Sequence, residues 1–260
     1  MNKKYRRALI AGNWKMNMLP SQVRQFTEAL KGSLPESKTC DIAICASFPL
    51  LPALIRSVRD CRIIPGAQDV SEHPGGAYTG QVSAEQLNDL GTKIVIVGHS
   101  ERRSYFGETD HQVNAKVLAL VKNGLIPIIC VGESELQRQN GLTADFVSYQ
   151  VKAALHGVAA ENLRRCVIAY EPLWAIGTGK TATAEQAQEV CRGIRAVIRE
   201  LYGARPARGV TILYGGSMNG DNARELLSMP DIDGGLIGGA SLKPEEFARI
   251  IAATAESADE

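Results

Sequence analysis

The chain has 260 residues, with 29 Lys plus Arg against 28 Asp plus Glu, a net charge of +1, and 45% hydrophobic residues. That balance excludes a disordered chain and gives no basic surplus for nucleic acid and no acidic surplus for a cationic partner. No apolar run approaches the roughly 18 residues of a membrane span, and residues 1–11 lack the apolar stretch and cleavage pattern of an export signal. The six cysteines, at 40, 45, 61, 130, 166 and 191, form no CxxC pair, and no His lies near one at a zinc-ligand spacing. Cys45, Cys130 and Cys166 sit in apolar runs and read as small buried hydrophobes. These features lead to the expectation of a cytoplasmic protein with reduced thiols and no metal.

In chain order, the first Ile/Val-type run covers 8–12 and reads as a strand. A helix over 21–31 follows, with Val23, Phe26, Ala29 and Leu30 at three- and four-residue spacing. Strands are expected at 41–46, 62–67 and 94–98, and then a helix over 110–123 carrying Val113, Val117, Leu120 and Val121 and stopped by Gly124. Strands at 126–131 and 166–170 precede a long helix over 183–201, apolar at Ala187, Val190, Cys191, Ile194, Val197, Ile198 and Leu201. The last strands fall at 210–214 and 235–238. A final helix over 243–252 has Pro244 in its first turn, followed by Glu245 and Glu246 at its positive end. The acidic tail 256–260 is expected to fray.

The strand runs lack strict alternation, as strands buried on both faces do. Eight of them in 260 residues leave roughly 32 residues per unit, one strand and one crossover helix. No linker interrupts the series. A single α/β domain over 1–260, built as a closed (β/α)₈ barrel, is therefore expected, with an open doubly wound sheet as the rival.

Active sites of such barrels lie where the strands end. After successive runs come Asn13 and Lys15, Gln68, His99, Glu133, Glu171, Gly215-Gly216-Ser217 and Gly238-Gly239. A polar loop explains any one of these, but Lys, His and Glu at buried strand ends are costly to desolvate without a purpose. Asn13 and Lys15, two apart in an extended segment, point the same way, while Trp14 points into packing. Lys15 can balance an anion or act as a Schiff-base amine.

His99 ends a strand just before a helix start, where the positive helix end favours neutral imidazole. Glu171 is followed by Pro172, which restrains it, and neighbours Leu173 and Ile176, whose apolar surroundings raise a carboxyl pKa toward that of a general base. Residues 175–180, with Gly177 and Gly179, have the make-up of a lid; 177–181 fail the P-loop pattern because the first glycine would fall at Trp174. Gly215-Gly216 and Gly238-Gly239, after the last two strands, are placed for backbone N–H groups to cradle a phosphate.

Five segments in one order, Ala11-Gly12-Asn13-Trp14-Lys15-Met16-Asn17, Gly98-His99-Ser100-Glu101-Arg102-Arg103, 170–181, Tyr214-Gly215-Gly216-Ser217 and Gly238-Gly239-Ala240-Ser241, resemble the signatures of the triosephosphate isomerase family. The resemblance spans essentially the whole chain. It implies a TIM barrel that interconverts dihydroxyacetone phosphate and D-glyceraldehyde 3-phosphate through an enediolate, with no metal or organic cofactor. By resemblance, Glu171 is the base, His99 the neutral electrophile, and Lys15 and Asn13 hold negative charge. Glu101 partners Lys15, and Gly177, Ser217, Gly238 and Gly239 bind the phosphate.

The resemblance also implies a homodimer in which Thr79, in the loop 76–80, approaches the other subunit's site. Gln81 stands where the family commonly has Glu, so a charged contact with Arg102 across the interface is not to be expected. Met218-Asn219-Gly220 replaces the usual Val-Lys-Pro, and a helix is expected to begin there. Two other functions fit parts of the pattern: a lyase or aldolase using Lys15 as a Schiff-base amine, and a non-catalytic barrel that binds a partner or a phosphorylated ligand.

Overall fold

The computed structural model describes residues 5–175 and 181–256. Eight parallel strands close into a barrel in sequence order: β1 (Ala8–Asn13), β2 (Cys40–Ala46), β3 (Ile63–Ala67), β4 (Ile94–Val97), β5 (Ile126–Val131), β6 (Val167–Tyr170), β7 (Thr211–Tyr214) and β8 (Gly234–Ile237). Closure is direct, because Gly12 of β1 pairs with Ile44 of β2 on one side and Ile237 of β8 on the other. An open sheet would leave two edge strands, so the doubly wound alternative is excluded.

Strand sides alternate, and both are apolar. Leu9 and Ala11, Ala43 and Cys45, Ile94 and Ile96, Ile128 and Cys130, and Val167 and Ala169 fill the barrel interior. Ala8, Ile10, Ile42, Ile44, Val95, Val97 and Ile129 face outward into a larger core shared with the helices. This double burial is why the strands carry continuous apolar runs. All six cysteines are free thiols, and burial pushes Cys45 and Cys166 up to about 12, which leaves them inert.

The helices Pro20–Ser33, Asp110–Lys122, Ala184–Tyr202 and Pro244–Glu256 stand where the apolar spacing puts them, within a few residues at each end. Thr109 and Thr183 begin two of them with capping boxes closed by Gln112 and Gln186. Shorter helices, among them Leu51–Val58, Ala84–Leu90, Ser100–Phe106 and Thr143–Ala154, were not legible as periodic segments. Most have too few turns to display a period. The helix expected at Met218–Gly220 begins only at Ala223. Asn219 Oδ1 accepts the N–H groups of Asp221 and Asn222, a local turn that competes with helix. The acidic tail beyond Glu256 lies outside the described residues. Among the described residues no helix is long and apolar enough to cross a membrane.

Candidate active site

The inward period of each strand, carried one step past its last core residue, names the rim. Asn13 follows Ala11, Gly132 follows Cys130, Glu171 follows Ala169, Gly215 follows Leu213, and Gly238 follows Leu236. Asn13, Lys15, His99, Glu171, Gly215, Gly216, Ser217, Gly238 and Gly239 line one cavity of about 370 Å³ at this end of the barrel.

His99 reaches the cavity by a different route. Gly98 leaves β4 at φ +68, and His99 then caps the helix Ser100–Phe106, its Nδ1 accepting the Glu101 N–H at 3.2 Å. An accepting Nδ1 leaves the ring proton on Nε2. Nε2 lies 3.0 Å from Glu171 Oε1. The other carboxylate oxygen, Oε2, accepts the Ser100 N–H at 2.9 Å, and the Ser100 hydroxyl donates to Oε1 at 3.3 Å. Glu171 and His99 are only 2% and 6% exposed, so these bonds act in a weakly screened environment.

Here the structure corrects an expectation. Burial pushes the Glu171 carboxyl up, but the His99 ring, the Ser100 N–H and Lys15 outweigh it and hold the group below its ordinary 4.5. Burial also works against charge on His99, yet the Glu171 carboxylate overrides it and raises the imidazole pKa. The raised carboxyl and neutral ring expected from sequence are thus opposed by the mutual contact of the two groups. Moving the carboxylate off His99 and Ser100 leaves burial as the dominant effect on each.

Lys15 also departs from expectation in local geometry. It is not extended: its φ is +52, and its N–H is held by Asn13 Oδ1 at 3.0 Å. This Asx-type turn, rather than strand alternation, brings Lys15 to the same cavity as Asn13. Lys15 Nζ pairs with Glu101 Oε1 at 2.7 Å, the partnership the resemblance implied. Gln68, one inward step past Gly66, donates to the carbonyls of Lys15 and Cys45, both at 2.9 Å, and pins the turn. Trp14 is fully buried, as expected.

The opposite wall is made of backbone. Ser217 and Gly239 are exposed, and Gly238 is half-buried. A Cβ on Gly239 would meet no atom within 4 Å, so the space before it is open. Gly216 is required for another reason, since a Cβ there would fall 2.3 Å from the Tyr214 hydroxyl. Gly177 and the remainder of the expected lid, 176–180, lie outside the described residues. Before that segment, Trp174 Nε1 donates to Glu133 Oε1 at 2.9 Å, and the Tyr170 hydroxyl donates to the same oxygen at 3.1 Å.

Thr79 is exposed and does not line the cavity of its own chain. Its loop is braced by Tyr78 stacking on His73, with ring centroids 3.8 Å apart, beside a second cavity of about 570 Å³ between the loop and the helix Ala84–Leu90. Arg102 pairs within its own chain, with Asp69 at 2.9 Å. Gln68 was placed on the rim from sequence without a role, and Ser100 was not singled out at all. Gln68 carries a usable signal, the inward period of β3; Ser100 has none beyond adjacency to His99. Among the described residues no group of three His, Cys, Asp or Glu side chains is placed to hold a metal ion.

The family model for triosephosphate isomerase matches residues 8–254, a span that includes every one of these side chains. The chain belongs to the triosephosphate isomerase family. It is 53% identical over 245 residues to the triosephosphate isomerase of Acetivibrio thermocellus, covering 94% of this chain and 97% of that protein. It is 48% identical over 246 residues to that of Lactobacillus helveticus, covering 95% and 98%. It is also 48% identical over 242 residues to that of Lacticaseibacillus casei, covering 93% and 96%. Membership agrees with the closed barrel and with the five segments on which the resemblance rested.

Proposed function

We propose that this chain interconverts dihydroxyacetone phosphate and D-glyceraldehyde 3-phosphate by moving one proton between adjacent carbons through an enediolate. The observation that carries this reading is the placement of a carboxylate and an imidazole N–H 3.0 Å apart, beside a lysine, on a cavity whose far wall is glycine backbone. A three-carbon phosphate needs those elements: a base at the C–H, a donor at the oxygens, and an anion cradle.

In this reading Glu171 leaves Ser100, takes the proton from the carbon beside the carbonyl, and returns it to the neighbouring carbon. His99 Nε2–H donates to the oxygens as charge develops there. With the carboxylate moved onto substrate, His99 loses the anion that raises its pKa, and the amide at Nδ1 holds it neutral. Lys15 and Asn13 balance the negative charge. Ser217, Gly238 and Gly239 bind the phosphate, and the resemblance adds Gly177, which lies outside the described residues. The ion pair of Lys15 with Glu101 favours charge balance over an amine nucleophile and so weighs against the aldolase reading.

The same reading makes residues 1–260 a single barrel domain, cytoplasmic and active without a cofactor. It also makes the chain a homodimer, in which Thr79 serves the partner's site. The exposure of Thr79 and its braced loop supports that assembly. A coupled assay on glyceraldehyde 3-phosphate tests the whole proposal. Turnover by the wild type that collapses in Glu171→Gln is expected; wild-type turnover in that variant would overturn the assignment of the base.

A further inference from the structure

We infer that Arg103 is a positioning residue for the proton-transfer pair, a strut that sets where His99 stands relative to Glu171. The inference rests on the isomerase reading above and adds a residue to it. The ladder between β4 and β5 ends at the pair Val97 and Ile129. Gly98 then turns the chain at φ +68, so His99 stands two residues beyond the end of strand pairing. Three donors of Arg103 act at this step. Nε donates to the Gly98 carbonyl at 2.7 Å, Nη2 to the Cys130 carbonyl at 3.3 Å, and Nη1 pairs with Asp110 at 2.6 Å.

One planar guanidinium therefore joins the carbonyl just before His99 to a carbonyl on β5. Cys130 is close to the other member of the pair. It is opposite Ala169, two residues before Glu171, and the Glu171 carboxylate adds to burial in pushing the Cys130 thiol up. The turn is tight against the strut, because a Cβ on Gly98 would sit 3.0 Å from Arg103 Nη2. Arg103 does not line the site cavity, so it acts through the two strand ends and not on substrate. A lysine ammonium cannot span two carbonyls and a carboxylate in one plane, which is the work of a guanidinium fork.

The test compares Arg103→Met, which keeps length and removes every donor, with Arg103→Lys, which keeps a charge for Asp110 and loses the fork. Expected in Arg103→Met is a kcat lower by roughly 10- to 100-fold, the cost of displacing a reacting group by about an ångström. Expected alongside is a KM, and a competitive inhibition constant for inorganic phosphate, within about threefold of wild type, because the wall that binds the anion is untouched. Arg103→Lys should fall between. The His99 Nε2–H proton resonance should shift in both variants.

A folded Arg103→Met with wild-type kcat would overturn the proposal. So would phosphate binding that weakens in step with kcat, which would mark a general loosening. If Arg103→Met does not fold, wild-type kcat in Arg103→Lys overturns it, and failure of both to fold makes Arg103 a folding residue instead. Wild type and Glu171→Gln are assayed in parallel. A wild type without turnover removes the isomerase reading itself, whereas turnover indifferent to Arg103 removes only the strut.

Discussion

The two walls of the mouth are built on opposite plans. On the β4–β6 side the chemistry is carried by side chains that are nearly inaccessible and bonded to one another: Glu171 to His99 and Ser100, and His99 to the Glu101 amide. On the β7–β8 side the wall is largely glycine backbone and one exposed serine, with open space before Gly239. The contrast follows from the tasks. A proton-transfer pair must be held to a fraction of an ångström, and burial makes each of its bonds stronger and each error more costly. An anion needs only donors and room, which backbone N–H groups supply without side-chain entropy.

This contrast can be broken experimentally. Removing the base should have the largest effect: Glu171→Gln is expected to lower kcat by roughly 10²–10⁴-fold with little change in KM, in steady-state assays. His99→Gln should lower kcat by about 10²–10³-fold, the cost of one preorganised donor at a developing oxyanion. Across the cavity the balance should invert. Ser217→Ala should raise KM by about 3- to 10-fold, the worth of one hydrogen bond, with kcat nearly unchanged. A kcat loss there equal to that of His99→Gln would dissolve the distinction between the walls.

Smaller effects sharpen the picture on the buried side. Ser100→Ala removes the 3.3 Å hydroxyl contact but keeps the 2.9 Å amide, so kcat should change by no more than about fivefold. The carboxyl of Glu171 is held below its ordinary 4.5, so its contribution to stability is present above that value and lost as pH falls through the lower folded value. Urea unfolding below pH 4.5 should therefore show the wild type losing stability relative to Glu171→Gln. A constant difference between the two across that range would mean the carboxylate is not stabilised as the geometry requires.

Much of this was legible in the amino-acid order. The eight strand runs are visible because both faces are buried, and the four longer helices because their apolar spacing persists over several turns. Asn13 and Glu171 stand two residues past Ala11 and Ala169, so the strand period alone places them on the rim. His99 breaks that rule, since the positive φ of Gly98 diverts it and only the motif around it marks it out. The shorter helices and the Asn219 turn depend on local side-chain bonding that weak propensities do not display.

Unaided, then, the residue pattern determined how many strands and crossovers there are and which polar groups end them, because periodicity and burial are written one position at a time. Tertiary structure alone decided that β1 meets β8, that the Lys15 turn is pinned by Gln68, and that Glu171 rests on Ser100 and His99 with a depressed pKa. Those outcomes depend on distances between residues as far apart in the chain as 12 and 237. A charge held against such a neighbour titrates by its surroundings in space, which no local pattern records.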